Sequence, residues 1–191
     1  MLARAAMAAR TSGSRNTLWL LGSDEDLRTL RSSIGDGALG VVTIGNAIHW
    51  MDHQRVFAEV TPMLRAGGGL AVIANGTPLW QQDSEPSRAL RRALERWLGT
   101  TLTSCCGTDK ESRAVYADSM RAAGFEVSEV VSEYRGELDL DHIVGGVYSA
   151  MSPDQIPPPD RREAFAEFIS QALPDGEPFV EVVRVAALIG M

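Results

Sequence analysis

Short apolar runs bounded by glycine alternate with longer stretches whose apolar positions recur every three to four residues. Thr17–Leu21 (TLWLL) ends at Gly22, Val41–Ile44 (VVTI) follows a glycine-rich loop over Gly35–Gly40, and Leu70–Ala74 (LAVIA) follows Gly67-Gly68-Gly69. Runs of this length are too short for helices, so each predicts a buried strand, with the triple glycine turning the chain into the third. Val127–Tyr134 and the strongly apolar Phe179–Ile189 predict two more.

The intervening stretches predict helices. Met1–Ser12 is alanine-rich and helical by propensity. Ser23 is a helix cap followed by Asp24, Glu25 and Asp26, acids placed favourably against the helix dipole. Asp52 caps a helix with Val56, Phe57, Val60 and Leu64 on one face, which Pro62 ends or kinks early. Ser84–Leu98 and Asp109–Ala123 are amphipathic, the latter closed by Gly124. Leu140–Ala150 and Asp160–Leu173 are further helices, separated by a loop at Pro157-Pro158-Pro159.

Strands alternating with helices define an α/β protein with a mainly parallel sheet and helices on both faces. The last two strands leave room for one antiparallel member. Val41–Ile44 and Leu70–Ala74 are predicted to be parallel neighbours joined by a right-handed crossover through the Asp52–Leu64 helix.

The chain of 191 residues and 20.6 kDa suits one domain, 1–191. Lys plus Arg number 18 against 25 for Asp plus Glu, a net charge of −7 that repels phosphate backbones and argues against nucleic acid as a partner. The longest apolar run, Leu39–Ile48, is too short to span a membrane. Arg4, Arg10 and Arg15 precede any acid, as in transit peptides, but no apolar core follows them and the alanine-rich start reads as an ordinary helix. Cys105 and Cys106 are adjacent, a spacing that disfavours a disulfide between them, so they are read as free thiols of a cytoplasmic protein.

The candidate chemistry is sparse. Gly35-Asp-Gly37-Ala-Leu-Gly40 spells G-x-G-x-x-G but precedes a strand, whereas a phosphate-binding loop must follow one and open a helix. That removes the fingerprint of a nicotinamide-dependent oxidoreductase. His49 and His53 have zinc-like spacing, but Asp52 as a cap puts His49 in the loop before the helix, and no third ligand is near in sequence, so no metal is expected. No nucleophile elbow or Ser-His-Asp set is visible.

Val41-Val-Thr-Ile-Gly-Asn-Ala-Ile-His-Trp-Met-Asp52, a helix, and then Met63-Leu-Arg-Ala-Gly-Gly-Gly-Leu-Ala-Val-Ile73 form the most informative stretch. It resembles class I S-adenosylmethionine-dependent methyltransferases of the type 11 group. There the fourth strand runs into an N-A-x-H-W loop, and a helix ending L-R-P-G-G leads into the fifth. Gly22-Ser-Asp-Glu-Asp-Leu27 is similar to the family's G-D-A-E-D-L turn after the third strand, and Phe179–Ile189 to its seventh strand. Ser23 stands in place of an adenine-contacting Asp, Asp24 in place of Ala, and Ala66 in place of Pro.

The resemblance implies a Rossmann-like sheet in which 1–75 is the remnant of the cofactor half and 76–191 carries acceptor or lid elements. The family's first strand, its D-x-G-x-G-x-G loop, first helix and second strand have no counterpart here. The sheet is therefore expected to lack two strands: either the start codon is misassigned, the gene is truncated, or a homodimer or second chain completes the sheet. By resemblance, Gly22, Ser23 and Asp24 lie near the adenine of S-adenosylmethionine, and Gly45 and Asn46 near its methionine part. His49, and secondarily Asp52, is the candidate base, although His49 also suits packing beneath the cofactor. Trp50, Trp80 and Tyr148 are candidates for the pocket of a small-molecule methyl acceptor, or for core or lid packing. The alternative is a degenerate, non-catalytic fold that dimerises or binds a partner.

Overall fold

The computed structural model describes residues 2–102, 107, 109–152, 154–174 and 178–191. Among these described residues, seven α-helices and four strands follow one another as α1 (Leu2–Thr11), α2 (Leu27–Ile34), β1 (Leu39–Gly45), α3 (His53–Val60), β2 (Leu64–Asn75), α4 (Glu85–Leu98), α5 (Lys110–Ala122), β3 (Val127–Leu138), α6 (Leu140–Ala150), α7 (Arg162–Ala172) and β4 (Phe179–Gly190). Caps fix where several helices begin. Asp52, Ser84, Asp109 and Asp139 each accept a backbone N–H three residues on, satisfying a donor that the first helical turn leaves unpaired. Pro62 sits in a 3₁₀ turn, Thr61–Met63, that ends α3 as its sequence requires. Cys105 and Cys106 lie outside the described residues.

The four strands form one sheet in the order β1-β2-β4-β3. β1 and β2 are parallel, with Val42 opposite Leu70 and Ile44 opposite Val72, as the single intervening helix predicted. The other two pairings are antiparallel, β2 with β4 and β3 with β4. The sheet is thus mixed, and β4 is the one antiparallel member for which the last two strands left room. Only β4 is reversed, so β1, β2 and β3 still point the same way.

Two boundaries differ from the sequence reading, each for a physical reason. Thr17–Leu21 forms no strand: Leu18 is 81% and Leu21 93% exposed. An apolar run becomes a strand only when a neighbour accepts its backbone hydrogen bonds, and β1 pairs only with β2 among the described residues. The glycine triplet, read as a turn, lies inside β2. Leu39 pairs with Leu64 but Val41 with Gly69, so β2 bulges through these glycines. A Cβ on Gly68 would sit 3.0 Å from the Gly40 carbonyl oxygen, and one on Gly69 would sit 2.9 Å from that of Gly190. Strands on both sides press against backbone that carries no side chain.

Two clusters make the core. In the first, Ile44, Leu70, Val72 and Leu188 of the sheet meet Val56, Phe57 and Val60 of α3 and Tyr116, Ala117 and Met120 of α5. The second gathers Leu90, Ala93 and Leu94 of α4, Ile143 and Val147 of α6, Phe165 and Ile169 of α7, and Phe179 at the start of β4. α1 contributes no buried residue. Among the described residues no helix is long and apolar enough to cross a membrane.

Candidate functional site

The carboxyl ends of parallel strands are where open α/β sheets bind ligands, because the loops that leave them diverge and open a crevice. Here β1 ends at Gly45, and the chain passes through Asn46 into a 3₁₀ turn, Ile48–Trp50, before Asp52 caps α3. Asn46 has a φ of 47°, the left-handed region that asparagine tolerates better than most side chains. Its N–H donates to the Ile73 carbonyl (2.9 Å) and its Oδ1 accepts from the Asn75 N–H (2.7 Å). One residue thereby clamps the end of β1 to the end of β2. A Cβ added to Gly45 would meet nothing within 4 Å, so the strand end borders open space.

The Gly22–Asp24 turn is fastened to the same end of the sheet. The Ser23 N–H donates to the Asp26 carboxylate (2.8 Å), and the Asp24 carboxylate accepts from Arg55 in the first turn of α3 (2.6 Å). That guanidinium holds the Asp24 carboxyl below the ordinary carboxylate range. The Arg55 N–H in turn donates to Asp52 Oδ1 (3.2 Å). A chain of contacts therefore joins the turn, through α3, to the loop that leaves β1.

His49 lies in the 3₁₀ turn, half-buried, its ring 4.9 Å from that of the 82%-exposed Trp50. Burial keeps its pKa below the usual histidine value, because it penalises the charged imidazolium. Gly107 packs against it so closely that a Cβ there would overlap the His49 Cβ and come within 2.7 Å of the Tyr116 hydroxyl. Between the strand ends, Asn46, His49, Ile73, Gly107, Arg113 and Tyr116 enclose about 10 Å³, roughly the room for a single water. A ligand the size of a nucleoside must lie on the open side of Gly45, not in this gap.

His53 does not join His49 in a pair of ligands. Its ring stands edge-on to Tyr116 at 5.4 Å, and its buried Nδ1 has no partner among the described residues.

The sequence-predicted residues fall into two groups. Gly22, Ser23, Asp24, Gly45, Asn46, His49, Trp50 and Asp52 gather around the end of β1 and the start of α3. Trp80 and Tyr148 belong to the second cluster, Trp80 at 7% exposure and Tyr148 stacked on Phe165 at 5.6 Å, and do not meet Trp50. The Tyr148 hydroxyl is buried without a partner among the described residues, and burial raises its pKa. Sequence reasoning missed Arg113 and Tyr116. The Asp109 cap carried the signal, since it starts α5 so that its first two turns bring both beside β1 and β2. Nothing in the sequence marked Gly107. A surface depression of about 580 Å³ lies elsewhere, lined by Arg92, Glu95, Arg96 and Thr100 near the end of α4. There the helix presents carbonyls, which oppose the anion its arginines would attract.

No family model matches this sequence, and no curated protein matches it. Solved structures do. The YcgJ protein of Bacillus subtilis aligns over 100% of this chain and 77% of its own, with 15% identity and a TM-score of 0.52. The cyclase SpnF aligns over 99% of this chain and 62% of its own, with 16% identity and a TM-score of 0.48. Geranyl diphosphate C-methyltransferase from Streptomyces coelicolor A3(2), solved with Mg2+, geranyl diphosphate and S-adenosyl-L-homocysteine, aligns over 97% of this chain and 57% of its own, with 14% identity and a TM-score of 0.41. At these identities the likeness concerns the fold. The chain shares a mixed α/β fold with the YcgJ protein.

Proposed function

We propose that the chain serves methyl transfer from S-adenosylmethionine to a small or medium-sized acceptor, and that alone it binds the cofactor weakly. The observation that carries this reading is the clustering of Gly22–Asp24, Gly45, Asn46 and His49 at the carboxyl end of β1, beside open space. When bound, the cofactor supplies an already activated methyl group on its sulfonium, so the protein's part is to position the acceptor and exclude water. Gly45 lets a ligand approach the backbone, and the Gly22–Asp24 turn supplies backbone groups for a base edge. His49, whose partial burial favours the neutral imidazole, is the group placed to accept a proton from an acceptor that must lose one. Asp52 is a weaker candidate, since its Oδ1 already caps α3.

Weak binding follows from the donor set. The Asp24 carboxylate is paired with Arg55 and the Asn46 carbonyl oxygen with Asn75, so neither is free for a ribose or an ammonium. The ribose-binding acid of the family has no counterpart in 1–75. Its absence removes charge-assisted hydrogen bonds of roughly 1.5–3 kcal/mol, a tenfold or greater loss of affinity.

The same two pairings favour a second reading, a non-catalytic methyltransferase-like fold that binds a partner. Calorimetric titration of S-adenosylhomocysteine into the purified chain, with hydrogen exchange on the complex, separates the two. The first reading expects binding weaker than low-micromolar, with protection at 22–24 and 45–46. Protection confined to 139–173 overturns the placement, and no heat at ligand saturation leaves the second reading.

A further inference from the structure

β1 is an edge strand among the described residues, and it lacks every usual guard. Its seven residues, Leu-Gly-Val-Val-Thr-Ile-Gly, include no charge and no proline, and Val41 is 62% exposed. Such an edge presents an uncapped row of N–H and C=O groups to any strand that can reach it.

Which groups it presents follows from the ladder. In a parallel pair, alternate residues turn both backbone groups to the same neighbour. The Asn46 N–H reaches the Ile73 carbonyl on β2, so Val42 and Ile44 also face β2. Val41, Thr43 and Gly45 are left to turn their N–H and C=O groups outward. This outward set is symmetric about Thr43.

We propose that this edge pairs with the β1 of a second copy, antiparallel, about a two-fold axis at Thr43, making one eight-stranded sheet. Thr43 of each copy then exchanges both hydrogen bonds with Thr43 of the other, and Val41 fills the space beside Gly45, so the paired copies cover the proposed cofactor site and dimer and cofactor exclude one another. Threonine pairs of this kind add side-chain hydrogen bonding across the ladder.

Charge selects a second copy over an unrelated strand. The Arg65 guanidinium stacks over Gly40 at the amino end of β1, exposed and without an ion pair among the described residues. At the carboxyl end, α3 begins with Asp52 and its Arg55 draws in the 3₁₀ turn of Asp24, Glu25 and Asp26. Gly40 shares a sheet face with Val42 and Ile44, and that is the face on which α3 packs. An antiparallel two-fold lays the amino end of each β1 beside the carboxyl end of the other and keeps the faces aligned. Each Arg65 therefore meets the acidic turn of its mate, twice over, in a chain whose net charge of −7 otherwise opposes association.

Sedimentation equilibrium on the purified chain should show a monomer–dimer equilibrium. Thr43→Pro removes an outward N–H and the paired hydroxyl but no N–H that β2 uses, so it should leave the far-ultraviolet circular dichroism intact and weaken association at least tenfold. Arg65→Glu should weaken it severalfold, and adding Glu25→Lys should restore it. A wild-type chain that stays monomeric at every concentration, or association undiminished in Thr43→Pro, overturns the proposal. Should Thr43→Pro fail to fold, the charge pair decides: association indifferent to Arg65→Glu overturns it equally.

Discussion

Asn46 joins two demands in one residue, a left-handed backbone and a side-chain oxygen aimed at the next strand. Asn46→Gly keeps the backbone conformation and loses only the hydrogen bond, about 0.5–1.5 kcal/mol. Asn46→Ala loses the bond and adds the left-handed penalty of roughly 1–2 kcal/mol, so urea denaturation should rank wild type above Gly and Gly above Ala. His49 makes a pH-dependent contribution. Its folded pKa lies below the ordinary value of about 6.5, so the unfolded chain binds a proton before the folded one does. Stability should therefore be flat above that value and fall as pH drops below it, a slope that His49→Gln abolishes. Asp24 titrates in a separate window. Held down by Arg55, it contributes fully above the ordinary value of 3.8 and loses that contribution as pH falls from there through its lowered folded value. Thermal melts across pH 8 to 3, on wild type, His49→Gln and Asp24→Asn, separate the two.

At the scale of elements, a capping side chain and the turn it starts were legible because the determinants are local. Asp52, Ser84 and Asp109 cap α3, α4 and α5 as their positions in the sequence require. Asp109→Ala should cost about 0.5–2 kcal/mol in denaturation midpoints and loosen Arg113 and Tyr116 beside the strand ends, which intrinsic fluorescence of Tyr116 would report. The strands were legible only where a partner exists. VVTI and TLWLL have similar apolar character, but the first is brought beside β2 by a short helix, while the second leads only into the Asp24–Asp26 turn. The glycine triplet misled for the opposite reason. Its glycines mark the close approach of Gly40 and Gly190, both remote in sequence, and not a local turn. The candidate site was legible as far as the loop that leaves β1. Gly107, Arg113 and Tyr116 come to it from another part of the chain, and Trp80 and Tyr148 are drawn into a second cluster by helices whose packing no local pattern states.

For the whole molecule, protection should follow the sheet order. β2 and β4 are hydrogen-bonded on both sides, β1 and β3 on one, and α1 buries no residue. Hydrogen exchange should be slowest in Leu70–Ala74 and Val185–Ile189 and fastest in Leu2–Thr11. Slow exchange in α1 of the isolated monomer would contradict that order. The position of β4 also bears on how the chain reaches this state. The strand between β2 and β3 is the last of the four to be synthesised, and Leu70 waits for Gly190 across more than a hundred residues. Until it arrives, β2 and β3 stand apart with bare inner edges, and the loop that must close is long. Folding should therefore stall at a collapsed form in which α3 already packs on β1 and β2. The insertion of β4 then sets the rate, and Ala186→Gly, placed in that strand, should slow refolding as much as it lowers stability.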